Sequence, residues 1–110
     1  METSQVKVHE VARLYAALGH SLRLQAVMFL ASQPLRGAYV SDVVAYLQRA
    51  QSTVSHHLKV LVEAGVLEAE PHGNWGWYQI VPTWLTQVHE HLSMFGTTTP
   101  AFPSGVVSQF

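Results

Sequence analysis

The chain has 110 residues, 48% hydrophobic and 12% charged. That is enough apolar material for one packed domain and rules out a disordered chain. The absence of cysteine excludes disulfides, thiolate metal sites and thiol nucleophiles. No apolar run approaches the roughly 18 residues of a membrane span, and no basic-then-apolar leader opens the sequence, so the expectation is a soluble cytoplasmic protein. A net charge of −1 argues against a general polyanion binder, but the distribution is uneven. Lys7, Arg13, Arg23, Arg36, Arg49 and Lys59 face Glu2, Glu10, Asp42 and Glu63 in residues 1–65, a net of +2, whereas residues 66–110 hold Glu68, Glu70 and Glu90 and no base, a net of −3. Phosphate contacts must come mainly from the first two thirds.

In chain order, residues 1–5 read as a frayed terminus. Val11, Leu14, Tyr15 and Leu18 recur at i, i+3, i+4 and i+7, which predicts an amphipathic helix from Val6 to Leu18, ended by Gly19. Ser21 is placed to cap a second helix running to about Ala31, and Gln33 to Gly37 reads as a loop from its Pro and Gly. Ser41 opens a short capped helix through Leu47. A break at Gln48-Arg49-Ala50 leads to a fourth helix, Gln51 to about Ala64, stopped by Gly65. Two short helices joined by a tight break outline a helix-turn-helix.

Beyond Gly65 the periodicity changes. Residues 66–70 and 75–80 are strand-like runs around Pro71-His72-Gly73-Asn74, which predicts a two-stranded β-hairpin. Pro82 suits the first turn of a last helix, Thr83 to about Phe95. Residues 96–110 are rich in Thr, Pro and Gly without a period and read as a tail beyond a domain of residues 1–95. There are no internal repeats.

On a helical wheel at about 100° per residue, with Gln51 at the origin, Ser55, Lys59, Ser52, Glu63 and His56 span roughly 40° to 140°. Val54, Leu58 and Leu61 span roughly 280° to 340°, an apolar stripe facing the core. His57 lies beside that stripe at about 240°. His56 is therefore expected to face outward, and His57 to pack or hydrogen-bond at the core margin. The outward amide, hydroxyls, imidazole and ammonium suit base edges and phosphates, although any soluble helix has a polar face.

Three stretches together narrow the reading: Ala17-Leu18-Gly19-His20-Ser21-Leu22-Arg23-Leu24, then Gln51-Ser52-Thr53-Val54-Ser55-His56-His57-Leu58-Lys59-Val60-Leu61-Val62-Glu63-Ala64-Gly65, then Gly73-Asn74-Trp75-Gly76-Trp77-Tyr78. Over roughly residues 9–92 the chain resembles the ArsR/SmtB family of bacterial winged-helix repressors. The resemblance implies an α+β, mainly α, winged helix-turn-helix of about five helices plus a two-stranded wing. It also implies a homodimer that binds a double-stranded DNA operator and leaves it when an effector binds. Gln51, Ser52, Thr53, Ser55 and His56 then face the major groove, Lys59 and Arg49 meet the backbone, and the wing tip His72, Gly73 and Asn74 lies against backbone or minor groove.

Several positions depart from the family pattern. Asn74 and Gln79 stand where wing arginines are common, and His20 where Asp is frequent. Gln48-Arg49-Ala50 replaces the usual Gly-Leu-Ser, losing a turn glycine and a capping serine. These changes predict weaker non-specific binding and greater dependence on base contacts.

Leu85, Val88, Leu92 and Phe95 are spaced 3, 4 and 3, an a/d seam, and Val11, Leu14, Tyr15 and Leu18 form a second stripe. Spacing alone allows both to cover the protomer's own core, whereas the resemblance makes the first and last helices a two-fold interface. The metal ligands common in the family are missing: there is no cysteine, and Thr83, Trp84 and Leu85 fall near the first expected pair. His9, His89 and His91 remain as weak candidates for a zinc or nickel site. Two residues apart on a helix is about 200°, so His89 and His91 cannot grip one ion together without ligands from another subunit. Trp75, Trp77, Trp84, Met94 and Phe95 form an alternative apolar effector pocket or simply core, and the effector is not named by the sequence. Catalysis is not expected: Ser55 and His56 point apart, no orienting acid follows, and no phosphate-cradling glycine pattern exists.

Overall fold

The computed structural model describes residues 2–70 and 76–96, with side chains from residue 8 onward. Five helices and three strands follow in the order α1 (Glu2–Leu18), α2 (Ser21–Ser32), β1 (Gly37–Tyr39), α3 (Val40–Leu47), α4 (Gln51–Glu63), β2 (Leu67–Glu70), β3 (Trp77–Ile80) and α5 (Thr83–Ser93). The α1 helix takes in residues 2–5, which were expected to fray. The apolar periods identified in the sequence bury as a common core. Leu30 of α2, Val43 of α3, Val54, Leu58 and Leu61 of α4, and Val66 and Leu67 at the start of β2 are all essentially inaccessible. Trp84 of α5 closes the cluster.

The sheet corrects the two-stranded expectation. It is antiparallel with order β1-β3-β2, and Gly37 pairs with Gln79, Ala38 with Tyr78, and Tyr39 with Trp77. The β1 strand falls at the end of a segment read as loop. Three residues are too few to display a period of two, and a glycine at the strand's start reads as punctuation. Here that glycine permits close approach: a Cβ at Gly37 would lie 2.7 Å from the Tyr78 carbonyl oxygen and 2.9 Å from Gln79 Cβ.

Helix ends follow local chemistry, though not always through the residues expected. The α2 cap is His20, whose Nδ1 accepts from the Leu22 amide at 3.1 Å, while Ser21 lies within the first turn. The α3 helix begins one residue before Ser41, after Tyr39, with no side-chain cap. The α4 helix closes in a Schellman motif: Val66 N–H donates to Leu61 C=O at 2.9 Å and Gly65 N–H to Val62 C=O at 3.0 Å. Gly65, at φ 85°, takes the left-handed position that glycine favours.

The α3–α4 break shows the cost of the missing glycine and serine. Gln48 holds a left-handed conformation (φ 55°, ψ 48°), which strains an L side chain. Ala50 occupies the α4 N-cap with no side-chain hydrogen bond. Gln48→Gly and Ala50→Ser are each expected to raise unfolding stability by about 1 kcal/mol. Urea denaturation checks this: the midpoint should rise at constant m-value.

Candidate nucleic-acid interface

The α3–α4 pair forms the helix-turn-helix, and α4 presents two faces. Val54, His57, Leu58 and Leu61 are buried. Gln51, Ser52, Thr53, His56 and Lys59 are exposed, as the wheel drawn from the sequence has it for Gln51, Ser52, His56 and Lys59, whereas Ser55, on the same outward arc, is half-buried. Arg49 is exposed, but its Nη1 donates to the Leu47 and Gln48 carbonyls, both at 3.3 Å. The guanidinium thus helps cap α3 as well as standing beside the polar face. The wing-tip residues His72, Gly73 and Asn74, the neighbouring Trp75 and the tail beyond Gly96 lie outside the described residues.

The body of the wing carries an ordered polar ladder. Trp77 Nε1 donates to Gln79 Oε1 at 3.0 Å, and Gln79 Nε2 donates to Glu68 Oε1 at 2.8 Å. Gln79 lies opposite Glu68 on one side and Gly37 on the other. The amide standing in an arginine position therefore binds a neighbouring carboxylate and leaves the ladder without a cation.

Behind the exposed face lies a cluster that the sequence did not disclose. Arg23 Nη1 donates to His57 Nδ1 at 3.2 Å, and Arg23 Nε donates to the Ala17 carbonyl at the end of α1. The His20 and His57 rings are 4.4 Å apart and the His56 and His57 rings 5.6 Å apart. One guanidinium thus ties the back of α4 to the α1–α2 junction. An arginine can only donate, so His57 must be neutral at Nδ1 to accept. Burial foremost, then His20, Arg23 and His56, hold the His57 pKa below its ordinary 6.5.

Proton uptake by His57 therefore favours the unfolded chain. As pH falls through about 6.5 an unfolded His57 takes up a proton while the folded one resists, so the unfolded state binds more protons in that window. Stability is full above that pH and declines as pH falls toward the folded pKa. The thermal midpoint of the wild type is expected to drop between about pH 7 and pH 5. His57→Gln, whose amide oxygen still accepts from Arg23, should flatten that slope in the same scans; an unchanged slope removes His57 as its source.

The two apolar stripes divide. Val11 and Leu14 are buried within the protomer at 3% and 2% exposure, and Leu18 and Val88 are half-buried against the same core. Tyr15, Leu85, Leu92 and Phe95 are exposed, Leu92 by half and Phe95 by 74%. Of the histidines offered as metal ligands, His9 and His89 are exposed and His91 is half-buried. The Tyr15 hydroxyl is paired with His91 Nδ1 at 2.8 Å. Among the described residues no three His, Asp or Glu side chains gather where they could hold an ion, and no helix is long and apolar enough to cross a membrane.

A helix-turn-helix whose second helix turns a polar face outward, followed by a β-hairpin that the preceding β1 strand completes into a three-stranded wing, defines a winged-helix DNA-binding regulator. Residues 20–69 match the bacterial regulatory protein, arsR family. An HTH-type transcriptional regulator of Methanocaldococcus jannaschii is 33% identical over 75 residues, 68% of this chain and 82% of the relative. The arsenical resistance operon repressor of Staphylococcus aureus is 28% identical over 89 residues, 81% of this chain and 83% of the relative. Among solved structures, the homodimeric winged helix-turn-helix DNA-binding domain of a possible ArsR-family regulator from Mycobacterium bovis superposes with a TM-score of 0.67 at 20% identity, covering 94% of each chain. The protein belongs to the ArsR family of transcriptional regulators.

Proposed function

We propose that the chain acts as a homodimeric, effector-responsive repressor that binds an inverted-repeat operator. The observation that carries this reading is the division of α4, with Gln51, Ser52, Thr53, His56 and Lys59 exposed over a stripe buried to the last atom at Leu58 and Leu61. A short helix reads few base pairs, and pairing two copies across a two-fold axis doubles the contacts at half-sites about one helical turn apart. Tyr15, Leu85, Leu92 and Phe95 supply the exposed apolar surface for that pairing.

In this reading Gln51, Ser52, Ser55 and His56 read base edges, and Lys59 positions the phosphate backbone. Titration against an inverted-repeat duplex and a scrambled one, at two salt concentrations, tests it; equal, weak binding to both duplexes overturns it. Ser55→Ala or His56→Ala is expected to lose about 1–3 kcal/mol of discrimination at particular base pairs. Lys59→Ala should weaken binding to all sequences and reduce the salt slope by about one unit.

One observation favours a second reading. The Trp77–Gln79–Glu68 ladder gives the wing a carboxylate and no cation, as suits a winged helix that docks on protein and has lost specific DNA binding. The same paired titration separates the two.

A further inference from the structure

Between α1 and α5, beside the Tyr15–His91 contact, is a recess of about 210 Å³. Val11 forms its floor, and Val8 and Met94 are apolar walls at its edge. Gln87 and His91, both half-buried, and the exposed Glu10 and Glu90 complete the lining. Among the described residues no lysine or arginine lines it. Among the described residues neither carboxylate makes an ion pair or side-chain hydrogen bond.

The lining specifies the occupant. Aliphatic walls take an apolar body, and two unpaired acids favour positive charge and repel an anion. An apolar cavity of about 150 Å³ holds benzene, so this recess fits one ring or a compact alkyl group plus a short charged arm. We propose that the α1–α5 recess binds a small organic monocation, an arylalkyl amine or a compact quaternary ammonium, with Glu10 and Glu90 receiving the charge.

The recess and the exposed apolar stripe lie on different flanks of α5. With Thr83 at the origin, Gln87, Glu90, His91 and Met94 fall between about −20° and 80° and Leu85 and Leu92 between about 180° and 200°, while Phe95, near 120°, lies between the two with its ring 5.1 Å from that of His91. A ligand wedged between α1 and α5 therefore shifts one helix against the other without masking Leu85 and Leu92. Tyr15, exposed on α1 as part of the same pairing surface, also holds His91 at the recess wall, so the shift reaches that surface directly. Operator release by this route rests on the repressor reading above; binding of the cation does not.

Calorimetric titration of the full chain with 2-phenylethylamine and choline, beside the neutral 2-phenylethanol and anionic phenylacetate, tests the site. At least one cation is expected to bind once per chain, with the alcohol and the acid at least about tenfold weaker. The double variant Glu10→Gln/Glu90→Gln should lose cation binding by about tenfold or more at an unchanged thermal midpoint. The site is overturned if neither cation binds up to about 10 mM, if the alcohol binds as well as the amine, or if the double variant binds like wild type. Operator titration of the same preparation keeps the two readings apart. Cation binding without operator binding supports the site and removes the repressor, and operator binding without cation binding does the reverse.

Discussion

Leu58→Ala is expected to lower unfolding free energy by about 2–5 kcal/mol, whereas His56→Ala two residues earlier should change it by no more than about 0.5 kcal/mol. Leu58 is fully buried among side chains of several elements, including Leu30, Val43 and Leu61. Truncation removes three carbons from a close-packed interior and leaves a cavity that the surrounding helices cannot wholly collapse. His56 faces solvent, and its loss strips a polar group without opening space. Urea denaturation measures both stabilities, and operator titration of the folded fraction measures function. The pattern should cross over: Leu58→Ala loses stability and binds in proportion to the molecules still folded, while His56→Ala stays folded and loses base discrimination. Equal destabilisation by the two substitutions would falsify the assignment of faces on α4.

The second large effect concerns a position with no side chain. Gly37→Ala places a methyl 2.7 Å from the Tyr78 carbonyl oxygen, 2.8 Å from Trp77 Cζ2 and 2.9 Å from Gln79 Cβ. The first obstacle is backbone of the central strand and the third is anchored directly to it, so neither can swing away. Overpacking of this kind costs about 1–3 kcal/mol, and relief requires β1 to part from β3. Loss of that pairing releases Trp77 and Gln79 together, dissolving the ladder to Glu68. Gly37→Ala is therefore expected to lower the denaturation midpoint and to speed amide hydrogen exchange at Ile80, whose N–H donates to Arg36 C=O at 3.0 Å. If the variant matches wild type in both, β1 is not held as described.

The helices were legible because each is long enough to repeat its period. Val54, Leu58 and Leu61 announce a buried stripe by spacing alone, and Gly65 announces the end of α4. In the folded chain that stripe is buried together with His57, and His56 is exposed. The β1 strand was invisible because a sheet of three short strands is fixed by pairing between distant residues. Nothing near Gly37 encodes Gln79 as its neighbour. The His20 cap was missed for a related reason: serine is the common capping residue, and an imidazole does the same work only when its Nδ1 is turned toward the helix. Arg23 was one basic residue among six until the fold brought it under His57. The apolar stripes of α1 and α5 carried too little information to say which residues face inward. Val11 and Leu14 went to the core, while Tyr15 and Leu92 stayed outside.

The closure at Gly65 bears on how the protein engages a duplex. The bond from Val66 N–H to Leu61 C=O joins the last turn of α4 to the first residues of β2, and Val81 N–H donates to Val66 C=O to fasten the other side. Helix and ribbon are thereby welded at one corner, like the jaws of a fixed caliper. A tilt of α4 is therefore expected to carry the base of the ribbon with it. If α4 and the wing both meet DNA as proposed, a duplex of the wrong groove width is expected to fit neither, which would make DNA shape a criterion beside the bases themselves.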